Sequence, residues 1–138
     1  MFRTILGVTL ALALPVTAAA QQKAAPKVKL GPAPITNASD GAEMYQSYCA
    51  TCHGKTGRGD GPAATALKTH PSDLTQLSRL HPGGLSQKDF EDRVNGLAMP
   101  LAHGSSPMPV WGPVFRAIGN DQLRIYNLKK YIDSLQAQ

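Results

Sequence analysis

Cysteine is scarce in this chain of 138 residues, which has only Cys49 and Cys52. Aromatic residues are also few, with three Phe, four Tyr and one Trp against 13 Gly and 11 Pro. A small domain of this composition has little from which to build a core and usually needs a staple. The single cysteine pair also argues against structural zinc, which takes four ligands from two separated pairs.

Charge of one sign is not abundant either. The formal net charge of +5 falls to +4 if Arg3 is removed with an N-terminal signal. No basic stripe interleaved with aromatic residues is present, which argues against binding of nucleic acid. The modest positive excess could steer an acidic protein partner.

Long apolar runs are absent. The longest extends from Ile5 to Val16, and a membrane span needs about 20 apolar residues. Arg3 precedes this run, and the small residues Ala18 to Ala20 follow it. The pattern predicts a secretory signal peptide at residues 1–20, cleaved after about Ala20. We therefore expect a periplasmic protein with no membrane-spanning segment in the mature chain; the alternative is an uncleaved N-terminal anchor.

Residues 21–38 are rich in Ala, Pro and Lys and show no hydrophobic periodicity. This composition predicts a flexible leader, followed by one domain over residues 39–138.

Helical patterns account for most of that domain. Ser39 is the expected N-cap of a first helix that buries Ala42, Tyr45 and Cys49. A short helix is expected at 63–68, another after Ser86 that ends at Asn95-Gly96, and a last one over 120–135. The apolar stripe of the last helix is predicted to consist of Leu123, Tyr126 or Tyr131, Leu128, Ile132 and Leu135. No strand-like alternation is present, so the predicted class is all-α, with short helices and long loops.

The cysteines belong to a Cys-x-x-Cys-His motif, Cys49 to His53. A disulfide would close a very short loop and stabilise little. A thioredoxin-like redox motif needs a βαβ context, which the sequence lacks.

Attachment of c-type haem is the signature use of Cys-x-x-Cys-His, and it explains the spacing. Two thiols one helical turn apart add to two haem vinyl groups, and the adjacent imidazole reaches the iron. Haem would also supply the missing apolar centre.

The motif with its glycine-rich continuation, "CATCHGKTGRGDGPAA", followed later by "MPVWG", resembles class I c-type cytochromes from about Ser39 to the C-terminus. The resemblance implies a cytochrome c fold in which the first and last helices cross beside one covalently bound haem. It implies thioethers at Cys49 and Cys52 and His53 as the proximal iron ligand. It also implies that the carbonyl of Pro62 accepts a hydrogen bond from His53.

In this family the distal iron ligand is a methionine in a loop before the last helix. Met108-Pro109 matches that position best, and Met99-Pro100 or His103 are the alternatives. Trp111 is expected near the haem or in the core. His70 and His81 each precede a proline and are expected at surface turns. Exposed cations that could pair with haem propionates or dock a partner are Lys55, Arg58, Lys68 and Arg79.

A His/Met-ligated haem c shuttles single electrons and leaves no open iron site for a substrate. The leading hypothesis is therefore a periplasmic monohaem electron carrier between a donor and an acceptor protein, and not an enzyme. A haem subunit of a periplasmic dehydrogenase is the second. A ligand-binding haem sensor, or a protein that handles copper through Met99, His103 and Met108, is a weaker alternative.

Overall fold

The computed structural model describes residues 32–98 and 108–136. Its α-helices are Gly41–Met44, Ala50–His53, Leu77–Leu80, Gln87–Val94, Gly112–Ile118 and Asp121–Ser134. A π-helical turn lies at Tyr45–Cys49, and 3₁₀ turns lie at Ala64–Ala66 and Leu74–Gln76. The described part contains no strand, which confirms the all-α prediction. Within these same residues no helix is long and apolar enough to cross a bilayer. The predicted signal peptide, most of the predicted leader, Met99 and His103 lie outside the described residues.

The first helix is continuous over residues 41–53, and we call it the motif helix. Its N-cap is Asp40, whose side chain accepts a hydrogen bond from the Glu43 amide at 2.8 Å. The prediction of Ser39 was wrong by one residue because Ser39 lies in the preceding turn, where its amide donates to the side chain of Asn37.

The motif helix and the C-terminal helix, Asp121–Ser134, pack against each other as a helix pair. They approach most closely at Gly41, where a Cβ atom would overlap the backbone carbonyl of Asn127. One turn further on, the rings of Tyr45 and Tyr131 lie 5.2 Å apart. The expected crossing of the first and last helices is therefore present, and only a residue without a side chain fits at its centre.

The buried face of the C-terminal helix differs from the predicted stripe. Leu128 and Ile132 are buried as expected, together with Ile125, while Leu123 and Tyr126 are 44% and 56% exposed. Ala42 of the motif helix is likewise exposed. The largest fully buried side chains come from both helices and from Phe115; they are Met44, Tyr45, Phe115, Ile125 and Leu128.

Three helices, Leu77–Leu80, Gln87–Val94 and Gly112–Ile118, lie between the members of the pair along the chain. The helix Gln87–Val94 begins at the predicted N-cap Ser86, whose hydroxyl accepts from the Asp89 amide at 3.1 Å. The helix Gly112–Ile118 was not predicted, and the expected helix at 63–68 is only the turn Ala64–Ala66.

The last residues of the predicted leader pack against the helix pair. Thr36 and Ala38 are buried, Tyr48 Oη donates to the carbonyl of Pro34 at 2.6 Å, and Asn127 Nδ2 donates to that of Ala38 at 3.1 Å. The packed part of the chain therefore begins before the predicted boundary at residue 39. These contacts are polar, which is why hydrophobic periodicity did not show them.

Candidate functional site

The helix widens into its π turn, Tyr45–Cys49, immediately before the motif, with the Ala50 amide bonded to the Tyr45 carbonyl. Such turns hold one extra residue and often occur at functional sites. Tyr45 and Tyr48 within it are buried against the rest of the fold, and the motif residues follow directly. No signal in the amino-acid sequence indicates this turn.

The two cysteines form no disulfide in the structure. Cys49 is 9% exposed, and Cys52 is partly buried. Burial, with a smaller contribution from Cys52, raises the pKa of the Cys49 thiol to about 12. A catalytic redox cysteine requires the opposite shift, so the geometry does not favour the thioredoxin-like interpretation. It leaves two thiols one turn apart on the motif helix.

The His53 ring is oriented by a hydrogen bond from its Nδ1 to a backbone carbonyl. Its Nδ1 lies 3.0 Å from the carbonyl oxygen of Ser72, and because a carbonyl can only accept, Nδ1 carries the proton. The Nε2 atom is then the nitrogen with a free lone pair, which is the arrangement found in metal-bound histidines. Burial lowers the pKa of His53, and the bond to Ser72 opposes that shift in part. The ring is therefore kept in the neutral form that a metal ligand requires.

The acceptor for His53 differs from the predicted one. Pro62 lies in an exposed turn, and its neighbours Gly61 and Ala63 donate to the carbonyls of Cys52 and Thr51 at 3.1 and 2.9 Å. These bonds place the turn against the end of the motif helix, where a Cβ atom on Gly61 would lie 2.6 Å from the Cys52 carbonyl oxygen. His53 donates instead to the carbonyl of Ser72, further along the chain. A backbone acceptor carries no side-chain signal, so sequence reasoning could not have found it.

Tyr45 fixes the residue that follows His53. Its hydroxyl donates to the carbonyl of Gly54 at 2.7 Å, and the side chain is fully buried. Burial raises the pKa of Tyr45 well above its ordinary value, so the phenol remains a neutral donor. Tyr45 thereby connects the packed interior of the helix pair to the end of the motif.

Three aromatic rings form a cluster beside Cys49. Tyr48 lies 5.2 Å from Trp111 and 5.4 Å from Phe115, centroid to centroid, and Trp111 lies 6.2 Å from Phe115. Trp111 is half-buried, as is Met108 three residues before it. The cluster therefore brings Trp111, three residues after Met108, against the helix that carries the cysteines.

The remaining predicted residues lie at the surface. His70 is exposed and its ring bonds the neighbouring Pro71 carbonyl at 3.0 Å, while His81 is half-buried at the end of a short helix. Lys55, Arg58, Lys68 and Arg79 are all exposed. Within residues 32–98 and 108–136, no three His, Cys, Asp or Glu side chains are grouped so that they could hold a metal ion, which is the geometry that the zinc interpretation needs.

Comparison with known families matches residues 36–124 to the family described as cytochrome c oxidase, cbb3-type, subunit III. The match covers about two thirds of the chain. The chain belongs to this family. The match also confirms a class I c-type cytochrome domain, and such a domain implies haem c and electron transfer. No curated protein and no solved structure matches the chain.

The site of this cytochrome domain fits a covalently bound haem. Two thiols stand one helical turn apart without a disulfide, a neutral imidazole has its Nδ1 occupied by Ser72, and an aromatic cluster forms an apolar wall beside Cys49. This donor set is the one that thioether attachment and axial ligation require.

Proposed function

We propose that the chain is an exported, periplasmic monohaem c-type cytochrome that passes single electrons between redox proteins. The observation that carries the proposal is the His53 ring, held through Nδ1 by Ser72 directly after two unpaired cysteines. When bound, haem c supplies a reversible one-electron couple.

In this proposal Cys49 and Cys52 anchor the haem as thioethers, and His53 presents Nε2 as the proximal ligand. Met108 is the distal ligand, with Met99 as the alternative. A thioether ligand favours reduced iron and raises the reduction potential. Because both axial positions are then filled, the protein carries electrons and does not act as an enzyme on a substrate at iron.

A second candidate is a cytochrome subunit fixed to one redox complex. The matched family takes its description from a subunit of an oxidase, and a periplasmic dehydrogenase complex is an equivalent host. The packed 34–38 segment, the exposed cations and the haem site serve either role. Purification at native expression distinguishes the two, because a free carrier elutes alone, whereas a subunit elutes with its complex.

Visible spectra of the exported protein, made in cells that assemble c-type haem, test the proposal. We expect a sharp α-band on reduction and, in the oxidised form, the weak red band of methionine–iron ligation. His53→Gly should abolish stable holoprotein. Met108→Ala should remove the red band, and Met99→Ala is the matched control. A red band lost only with Met99 would reassign the distal ligand, and absence of haem from the wild-type protein would overturn the proposal.

A further inference from the structure

Arg124, on the C-terminal helix, carries a buried charge that the proposed ligand set does not use. The residue is 3% exposed. Its Nε donates to the carbonyl of Gly119 at 2.7 Å, and its Nη1 donates to Thr36 Oγ1 at 3.0 Å and lies 3.8 Å from Met44 Sδ. All three partners are uncharged.

No carboxylate in the described part of the chain lies within 4 Å of this guanidinium; the ion pairs there are Lys88–Asp92 and Lys129–Asp133. A buried charge without a counter-ion costs several kcal/mol of stability. A clamp between the C-terminal helix and Thr36 could be made by a neutral amide at lower cost. Arg124 therefore places a full positive charge in the interior in addition to its hydrogen bonds.

A directed chain of hydrogen bonds runs from Arg124 through Thr36 to Tyr48, the residue before Cys49, and ends at the carbonyl of Pro34. Tyr48 Oη uses its proton to bond the Pro34 carbonyl at 2.6 Å, so in its 2.9 Å contact with Thr36 the threonine hydroxyl must be the donor. Thr36 Oγ1 in turn accepts from Arg124. The two hydroxyls therefore donate in one direction along the chain, Thr36 to Tyr48 and Tyr48 to the Pro34 carbonyl, and such chains polarise one another.

Tyr48 connects this chain to the site. It is the residue before Cys49, and its ring contacts Trp111 and Phe115. Tyr48 and Cys49 belong to one buried cluster, so the positive charge acts on an interior where water screens it less than it screens surface charges.

We propose that Arg124 is a positioning residue that raises the reduction potential of the haem bound at Cys49 and Cys52, through its buried charge and the Thr36–Tyr48 chain. The inference rests on the proposed function. An electron arriving from a donor protein lowers the net charge of the site by one, and a fixed cation in the interior favours that change.

The test is the midpoint potential of the holoprotein, measured by spectroelectrochemistry. Arg124→Met, which removes the charge but keeps an unbranched apolar side chain, should shift the potential to lower values. Arg124→Lys, which keeps the charge, should lie nearer the wild type. Thr36→Val, which interrupts the chain but keeps the charge, should give an intermediate shift. Arg116→Gln removes an exposed charge and should have the smallest effect.

A double variant, Arg124→Leu with Thr36→Val, replaces both partners by apolar groups. It leaves no buried donor unpaired, so it can be measured if Arg124→Met does not fold. An unchanged potential in whichever neutral variant folds, or equal shifts in Arg124→Met and Arg124→Lys, would overturn the inference. Failure of the proposed function is a different result, because the wild-type protein would then show no reversible haem couple at all.

Discussion

The helix pair and the loop that follows the motif are stabilised in different ways. The pair, 41–53 with Asp121–Ser134, encloses buried Met, Tyr, Ile and Leu side chains. Over residues 54–84, by contrast, Ala64 is the only buried residue other than glycine. That loop is ordered by backbone bonds such as Gly59 to His53 and Leu74 to Gly57, at 2.8 and 2.7 Å.

In the proposed haem protein, this difference separates the residues that would attach the haem from those that orient His53. The cysteines belong to the element that has an apolar core of its own, while Ser72, which orients His53, belongs to the loop that lacks one. Apolar burial is the main favourable term in folding, so the loop has little to oppose the entropy of ordering its backbone. We infer that the helix pair tolerates the absence of haem and that the loop depends on haem.

Preventing haem attachment should give the largest effect. In the variant with Cys49→Ala and Cys52→Ser, we expect backbone amides of the helix pair to keep protection corresponding to about 3–5 kcal/mol, while those of residues 54–84 exchange almost freely. Native-state hydrogen exchange measures both regions in one experiment. The holoprotein is the control, and in it the amide protection of the two regions should be more similar. Equal protection of the two regions in the haem-free variant would contradict the comparison.

Gly41→Ala adds a methyl group where the two helices of the pair approach most closely. The new methyl group would overlap the Asn127 carbonyl and crowd the Cβ atom of Tyr131 at 2.9 Å, and such overpacking typically costs about 1–3 kcal/mol. We expect denaturant unfolding of the holoprotein to show a loss in this range or above it. Ala42→Ser, at an exposed neighbouring position, should change the free energy of unfolding by less than about 0.5 kcal/mol. A loss as large in Ala42→Ser would show that the crossing is not the sensitive feature.

The same two regions show what the sequence could predict. Side-chain signals were sufficient for the motif helix, for the Ser86 cap and for most of the C-terminal helix. The helix Gly112–Ile118 was missed because Gly112-Pro113 suggests a break, although proline is accepted in the first turn of a helix, where the structure places it.

Other features left no signal of the kind that periodicity reports. Arg124 is charged and buried, a combination that hydrophobic periodicity does not indicate, and Ile125 beside it is buried in place of the predicted Leu123. Segment 34–38 packs through hydroxyl and carbonyl groups, and Ser72 acts through its backbone. The residues proposed to attach the haem thus carry a sequence motif, while a residue that orients them, such as Ser72, carries none.

Tyr45→Phe breaks the hydrogen bond that joins the two regions but keeps the ring that packs on Tyr131. The Gly54 carbonyl retains the Gly57 amide as a donor at 3.2 Å, so we expect a loss of only about 1 kcal/mol in the free energy of unfolding. Exchange should accelerate in the loop after His53 more than in the helix pair. Tyr126→Phe, at an exposed position, is the matched control. An effect confined to the helix pair would show that this hydroxyl does not support the loop.

The smallest effect is expected from Asp73, which caps the turn after Ser72. Its carboxylate accepts from Thr75 Oγ1 at 2.6 Å and from the Thr75 amide at 2.9 Å, and the hydroxyl bond is the main reason that its pKa lies below the ordinary 3.8. Since the folded state favours the charged form, the contribution is complete above the unfolded pKa and is lost as the pH falls through the folded one. The unfolding midpoint of Asp73→Asn should therefore lie slightly below that of the wild type at pH 7, and the difference should disappear in acid.

Thr75→Val keeps the amide donor but removes the hydroxyl, so its difference from the wild type should be smaller and should disappear over a narrower pH range. If the difference in unfolding midpoint between Asp73→Asn and the wild type is the same at every pH, the carboxylate acts through its shape and not through its charge. The charge of this cap would then contribute nothing to the stability of the loop.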